Sequence, residues 1–93
     1  ENLTNLEYLH CSDNKLTSLK GIEYLTNLKE LHSSNNKLTS LKGIEFLNKL
    51  QNISFLKNNL PEYYNKEMTH KDVQKLVRRE NRKPKIEKLV NSL

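Results

Sequence analysis

The nine residues KLTSLKGIE occupy positions 15–23 and recur unchanged at 37–45, 22 positions later. In a chain of 93 residues this repetition constrains the fold more than any other feature. A unit that returns at a fixed period packs against its own copies and not into a closed core. Aligning residues 3–24 with 25–46 gives 17 identities in 22 positions. A third copy, 47–65, opens as LNKLQNISFLKNN and then decays. Five columns persist through all three copies: Leu3, Leu25 and Leu47; Leu6, Leu28 and Leu50; Leu9, Leu31 and Ile53; Asn14, Asn36 and Asn58; Leu16, Leu38 and Leu60.

Neither the helical nor the strand period accounts for that spacing over a full unit. Each unit instead reads as a short strand, a turn and a return segment. In YLHCS, Leu9 and Cys11 fall on one side while Tyr8, His10 and Ser12 fall on the other, as in a strand with one buried face. Gly21 and Gly43 stand where a positive φ would help the return, and Asn65 takes that place in the third copy. By the same alignment Tyr63 takes the place of Leu19 and Leu41. One unit cannot bury its own leucines, so the units are expected to stack.

The pattern L-x-x-L-x-L-x-x-N-x-L runs through Leu6, Leu9, Cys11, Asn14 and Leu16, then through Leu28, Leu31, Ser33, Asn36 and Leu38. It runs a third time through Leu50, Ile53, Phe55, Asn58 and Leu60. The chain resembles leucine-rich repeats of the 22-residue type, similar to those of bacterial internalins and of repeat proteins from AT-rich protists and large DNA viruses. The resemblance implies an α/β repeat: a solenoid with short parallel strands on its concave face. It also implies a ladder of Asn14, Asn36 and Asn58 that satisfies backbone groups in the buried turn. Cys11 and Ser33 depart from the family's aliphatic preference, which predicts a slightly loose core at that position.

Hydrophobic residues make up 34% and mean hydropathy is −0.84, so apolar side chains are placed economically, most of them as leucine. Lys and Asn each occur 13 times and Ala never, a bias that points to an AT-rich genome. No apolar run reaches the 18 or so residues of a membrane span. The single cysteine, Cys11, cannot form an internal disulfide. That favours an intracellular or virion setting, while sequons at Asn2 and Asn52 point the other way. Glu1 and Asn2 align inside a return segment, so the sequence is expected to be the C-terminal part of a longer array.

Ninety-three residues allow one domain at most, and within it two parts are expected: repeats over 1–65 and a basic helical cap over 66–93. THKD resembles a capping box, with Thr69 as N-cap and Asp72 three residues on. Val73, Leu76 and Val77 follow as a narrow apolar stripe. Pro84 suits the first turn of a second helix, and Ile86, Leu89, Val90 and Leu93 recur at amphipathic spacing. The expectation is a helical hairpin joined around residues 81–83, covering the last repeat's leucines. This segment carries the net charge of +5, because residues 1–68 hold eight Lys against eight acidic residues. Lys71, Lys75, Arg78 and Arg82 fall on one stripe, able to meet phosphates or an acidic surface. The plainer explanation is a solvated face, since no aromatic residues interleave for base stacking.

His10 and His32 share a column, about 4.8 Å apart if the strands pair in register. Zinc needs three or four ligands, and the third copy offers Ser54, so no metal or cofactor is expected. Cys11 sits at a core position with no acid–base partner, and a thiol in apolar surroundings is inert. With no nucleophile–base pair or phosphate loop, an enzyme is not expected. The exposed strand face is the candidate surface for another protein: Tyr8, Glu30 and Asn52; His10, His32 and Ser54; Ser12, Ser34 and Leu56; Asp13, Asn35 and Lys57. Leu56 is apolar in a polar column and is expected to pack under the cap. The first reading is a non-enzymatic protein-binding or scaffolding module. The alternative is a structural component of a larger assembly, such as a virus particle, whose basic hairpin meets an anionic partner.

Overall fold

The computed structural model describes residues 3–66 and 68–91, with side chains described over 4–66 and 68–82. Three short strands, β1 (Tyr8–His10), β2 (Glu30–His32) and β3 (Asn52–Ser54), form one parallel sheet in the order β1-β2-β3. The register follows the repeat: Leu9 faces Leu31, which faces Ile53. Three residues cannot make a stable ladder alone, and the pairing continues past the strand ends. The Cys11 amide donates to the His32 carbonyl at 2.8 Å and that of Ser33 to Ser54 at 2.9 Å. Further on, the Lys37 amide reaches the Leu16 carbonyl at 2.8 Å and that of Asn59 reaches Leu38 at 2.9 Å.

Asparagines tie each repeat to the one before it. The Asn36 amide nitrogen donates within its own turn to Ser33 and Ser34, and across to the Cys11 carbonyl at 3.0 Å. Its Oδ1 accepts from the Leu16 amide at 3.1 Å. Asn58 repeats the arrangement one unit later, reaching the Ser33 carbonyl and accepting from the Leu38 amide, each at 3.0 Å. Asn14 binds the Cys11 and Ser12 carbonyls of its own turn. Only a side chain that donates and accepts at once can do this. Ser33 is fully buried, and its hydroxyl donates to the Ser54 carbonyl at 2.9 Å, so the departure from an aliphatic residue leaves no orphaned group.

The return segments are 3-10 helices, Ile22–Tyr24 and Ile44–Phe46, each entered through a glycine with positive φ: 98° at Gly21 and 112° at Gly43. At Gly43 a Cβ would lie 2.5 Å from Ile22 Cγ2, so close stacking as well as φ demands glycine there. The third copy differs from the alignment. Its 3-10 helix, Glu62–Tyr64, is entered through Pro61 at φ −53°, four residues early, and Asn65 sits at φ −84°, outside the left-handed region. The expected equivalence of Tyr63 with Leu19 and Leu41 therefore fails. Tyr63 is exposed, and the early return turns Tyr64 into the core, edge-on to Phe55.

After the repeats the described residues form one helix, α1 (His70–Asn91), in place of the expected hairpin. Residues 81–83 hold no glycine to reverse the chain. Pro84 removes one helical hydrogen bond, yet its fixed φ is itself helical, and the flanking Lys and Arg favour continuing the helix. The expected stripe from Ile86 to Val90 has no described side chains, and Leu93 lies outside the described residues. Thr69 Oγ1 accepts from the Asp72 amide and Asp72 from that of Thr69, closing the capping box. Val73 and Val77 are fully buried against the repeats. Gln74 donates to the Ile44 and Leu47 carbonyls at 2.8 and 3.0 Å. Asn81 donates to the buried Glu45 carboxylate, which also accepts from the Gly43 amide. Tyr63 and Tyr64 both donate to Glu80. Polar side chains of α1 thus add second donors to the Ile44 and Leu47 carbonyls, which already accept from the Leu47 and Leu50 amides.

Candidate protein-binding face

Because β1, β2 and β3 pair in register, the side chains opposite the core line up in columns. Tyr8, Glu30 and Asn52 form one, and His10, His32 and Ser54 the next. The two imidazoles stack with centroids 4.5 Å apart and planes inclined by 25°. His32 is held on both ring nitrogens: Nε2 lies 3.2 Å from Glu30 Oε1, and Nδ1 lies 3.1 Å from Ser54 Oγ. Among the described residues no three His, Cys, Asp or Glu side chains are placed to hold a metal ion.

Beyond the strands, Asp13, Asn35 and Lys57 share a left-handed backbone, at φ 61°, 57° and 58°. Asp and Asn tolerate that conformation; Lys57 carries a cost of about 1–2 kcal/mol. Asn35 Nδ2 donates to Asp13 Oδ1 at 2.6 Å, so this column is also stitched across units. The turn was legible in the pairing of Asp13 with Asn35, a signal the reading by strand alternation passed over. Ser12 and Ser34 lie half-buried between the columns.

Leu56 does not pack under α1. It is 59% exposed, two residues beyond the end of β3, and Tyr8 of β1 is 53% exposed. The face therefore has an aromatic residue on its first repeat and an aliphatic one on its third, with hydrogen-bonding groups between. At its margin Lys29 Nζ lies 2.7 Å from Glu7 Oε1. Hydrogen bonding to Lys29 and its charge hold the Glu7 carboxyl below the usual range, and Glu7 raises Lys29 in turn. Cys11 lies behind the face, half-buried, its thiol pushed up by desolvation.

The basic residues are divided. Lys71, Lys75 and Arg82 are exposed, as is Arg79, which the stripe of four omitted. Arg78 is exposed as well, but its Nη2 donates to the Glu45 carbonyl at 3.1 Å, which ties this member of the stripe to the repeats.

Stacked units of strand, asparagine turn and 3-10 return, each leaning on the next, define a repeat protein. The family model described as Leucine Rich repeats (2 copies) matches residues 4–45, so this stretch is a pair of leucine-rich repeats. No curated protein and no solved structure matches it. No described helix is long and apolar enough to cross a membrane.

Proposed function

We propose that the chain is a non-enzymatic interaction module, a scaffold that holds another protein on the concave, strand-side face of a leucine-rich-repeat solenoid. Leucine-rich repeats commonly present such extended faces to proteins. The observation that carries the reading is the in-register face itself, where exposed Tyr8 and Leu56 flank polar columns. Interfaces draw most of their energy from a few apolar anchors surrounded by hydrogen-bonding groups. Tyr8 and Leu56 serve as the anchors. His10, Glu30, His32, Asn52, Ser54, Ser12, Ser34, Asp13 and Asn35 supply the surround. The repeats over 1–65 form the binding unit, the segment over 66–93 closes its end, and the 22-residue spacing supports an internalin-like subtype.

The test compares two double variants as baits in an extract of the source cells. Tyr8→Ala with Leu56→Ser strips the anchors, while Lys20→Gln with Lys42→Gln alters exposed residues outside the strand-side columns. A partner retained by the parent and the lysine variant, and lost by the anchor variant, supports the reading. A partner that ignores the anchor variant places binding elsewhere.

A further inference from the structure

Independently of the strand-side face, we infer that the outer surface of α1 is a binding site for the phosphate backbone of double-stranded nucleic acid. At 100° per residue, Lys71, Lys75, Arg79 and Arg82 fall within one arc of roughly 80° on the side away from Val73 and Val77. All four are exposed. The two acidic residues described on this helix are engaged elsewhere: Asp72 closes the capping box, and Glu80 accepts from Tyr63 and Tyr64. Neither ion pair recorded among the described residues involves any of the four cations. The repeats supply no counterweight, since eight Lys offset eight acidic residues over 1–68. The whole surplus of +5 therefore belongs to the segment that contains α1.

Three anionic partners fit a basic helix, and the packing separates them. A lipid surface needs an apolar helix face to immerse, but the described apolar side chains of α1 are committed to the repeats: Val73 and Val77 are buried there and Leu76 is partly buried against the same core. An acidic protein surface needs an apolar or aromatic anchor to bind well, and over residues 71–82, whose side chains are described, the arc holds four cations and no anchor. A phosphate backbone needs only regularly placed cations, because release of condensed counterions drives association. The arc advances about 16 Å along the axis from Lys71 to Arg82, a length that spans several phosphates of one strand. Lacking stacking residues, it suits a duplex better than a single strand. Contacts of this kind position a protein without reading sequence.

Fluorescence anisotropy of the 93-residue chain with a labelled DNA duplex, titrated across salt, tests the inference. Four neutralised phosphates predict a log–log salt slope near −3.6, a loss of about 10²-fold between 50 and 200 mM salt. Lys75→Gln with Arg82→Gln should weaken binding at low salt and reduce the slope by about 1.8. The charge-preserving pair Lys75→Arg with Arg82→Lys should retain it, as should Lys20→Gln with Lys42→Gln on the repeats. Thermal melts of all variants should coincide, because these side chains are exposed. Absence of duplex binding at 50 mM salt would overturn the assignment. So would equal losses in the repeat-lysine pair, which would mean diffuse attraction. Tighter binding to a polyglutamate peptide than to a duplex of equal charge would assign the arc to an acidic protein instead, and tighter binding to anionic phosphatidylserine vesicles would assign it to lipid.

Discussion

At the residue scale, chemically identical side chains carry different loads according to which repeat they occupy. Asn36 joins two turns through donor and acceptor together, whereas the described bonds of Asn14 stay within its own turn. Asn36→Ala leaves the Leu16 amide without its partner and removes one of the two donors to the Cys11 carbonyl, so it should cost about 1–3 kcal/mol. Asn14→Ala should cost less than about 1 kcal/mol; chemical denaturation of both variants checks the difference. The glycines make a second pair. Replacement by Ala at either site incurs the left-handed penalty of about 1–2 kcal/mol. A Cβ at Gly21 meets nothing within 4 Å, while one at Gly43 meets Ile22. Gly43→Ala should therefore be worse by a further 1–3 kcal/mol or so of overpacking, and equal melts would mean the stacking distance is not what the geometry implies. Both glycine turns were legible in the sequence, because a repeated glycine at a fixed place signals a repeated backbone need. The left-handed turn at Lys57 was not, because lysine carries no such signal and inherits the conformation from Asp13 and Asn35 by stacking.

At the element scale, the strands were readable and the helix only in part. Strand register follows from leucine columns, which survive divergence because each faces its equivalents. The third return segment was misplaced because once Gly is gone only spacing remains, and four residues have been lost from it. Length and continuity of α1 were hidden by Pro84, whose helical φ is as compatible with an interior position as with a first turn. The tyrosine contacts make α1 sensitive to alkali. Hydrogen bonding to Glu80 is the largest influence on Tyr63 and pushes it up to about 12, while burial first and Glu80 second raise Tyr64 further. Both phenols ionise near 10 when unfolded. Their folded values are raised, so their stabilising contribution is complete below pH 10 and is lost as pH climbs through the folded values. Melting temperature should fall from pH 10 upwards, and the Tyr63→Phe, Tyr64→Phe double variant should lose the part of that fall due to tyrosine. With Glu80→Gln, phenolate absorbance should appear at lower pH than in the parent. An unchanged onset would show that Glu80 does not hold the phenols protonated.

For the whole molecule, burial is graded along the stack, and the grade sets how much each repeat contributes. Leu28, Leu31 and Leu38 are fully buried between neighbours, while Leu6, Leu9 and Cys11 are only partly covered and Leu16 is 36% exposed. In a stacked array stability is close to a sum of unit terms and nearest-neighbour interfaces, so equivalent positions should respond unequally. Leu31→Ala removes a side chain enclosed on both sides and should cost about 2–5 kcal/mol. Leu9→Ala, in the same column, removes contacts on one side alone and should cost about 1–2 kcal/mol, in proportion to the smaller area it keeps from water. The difference belongs to the neighbour and not to the leucine. Fusing a copy of residues 25–46 ahead of Leu3, in register, would place a return segment and a strand against β1. The fused unit's leucines would then cover Leu6, Leu9 and Leu16, and Asn14 would gain a turn to bridge. In that longer chain Leu9→Ala should rise into the range of Leu31→Ala, with urea-melt midpoints of the parent moving up. If Leu9→Ala stays cheap after the fusion, β1 does not accept another repeat as β2 and β3 accept theirs. If it is already as costly as Leu31→Ala in the 93-residue chain, the first repeat is supported by something other than its neighbour, and nearest-neighbour stacking fails as the account of this fold.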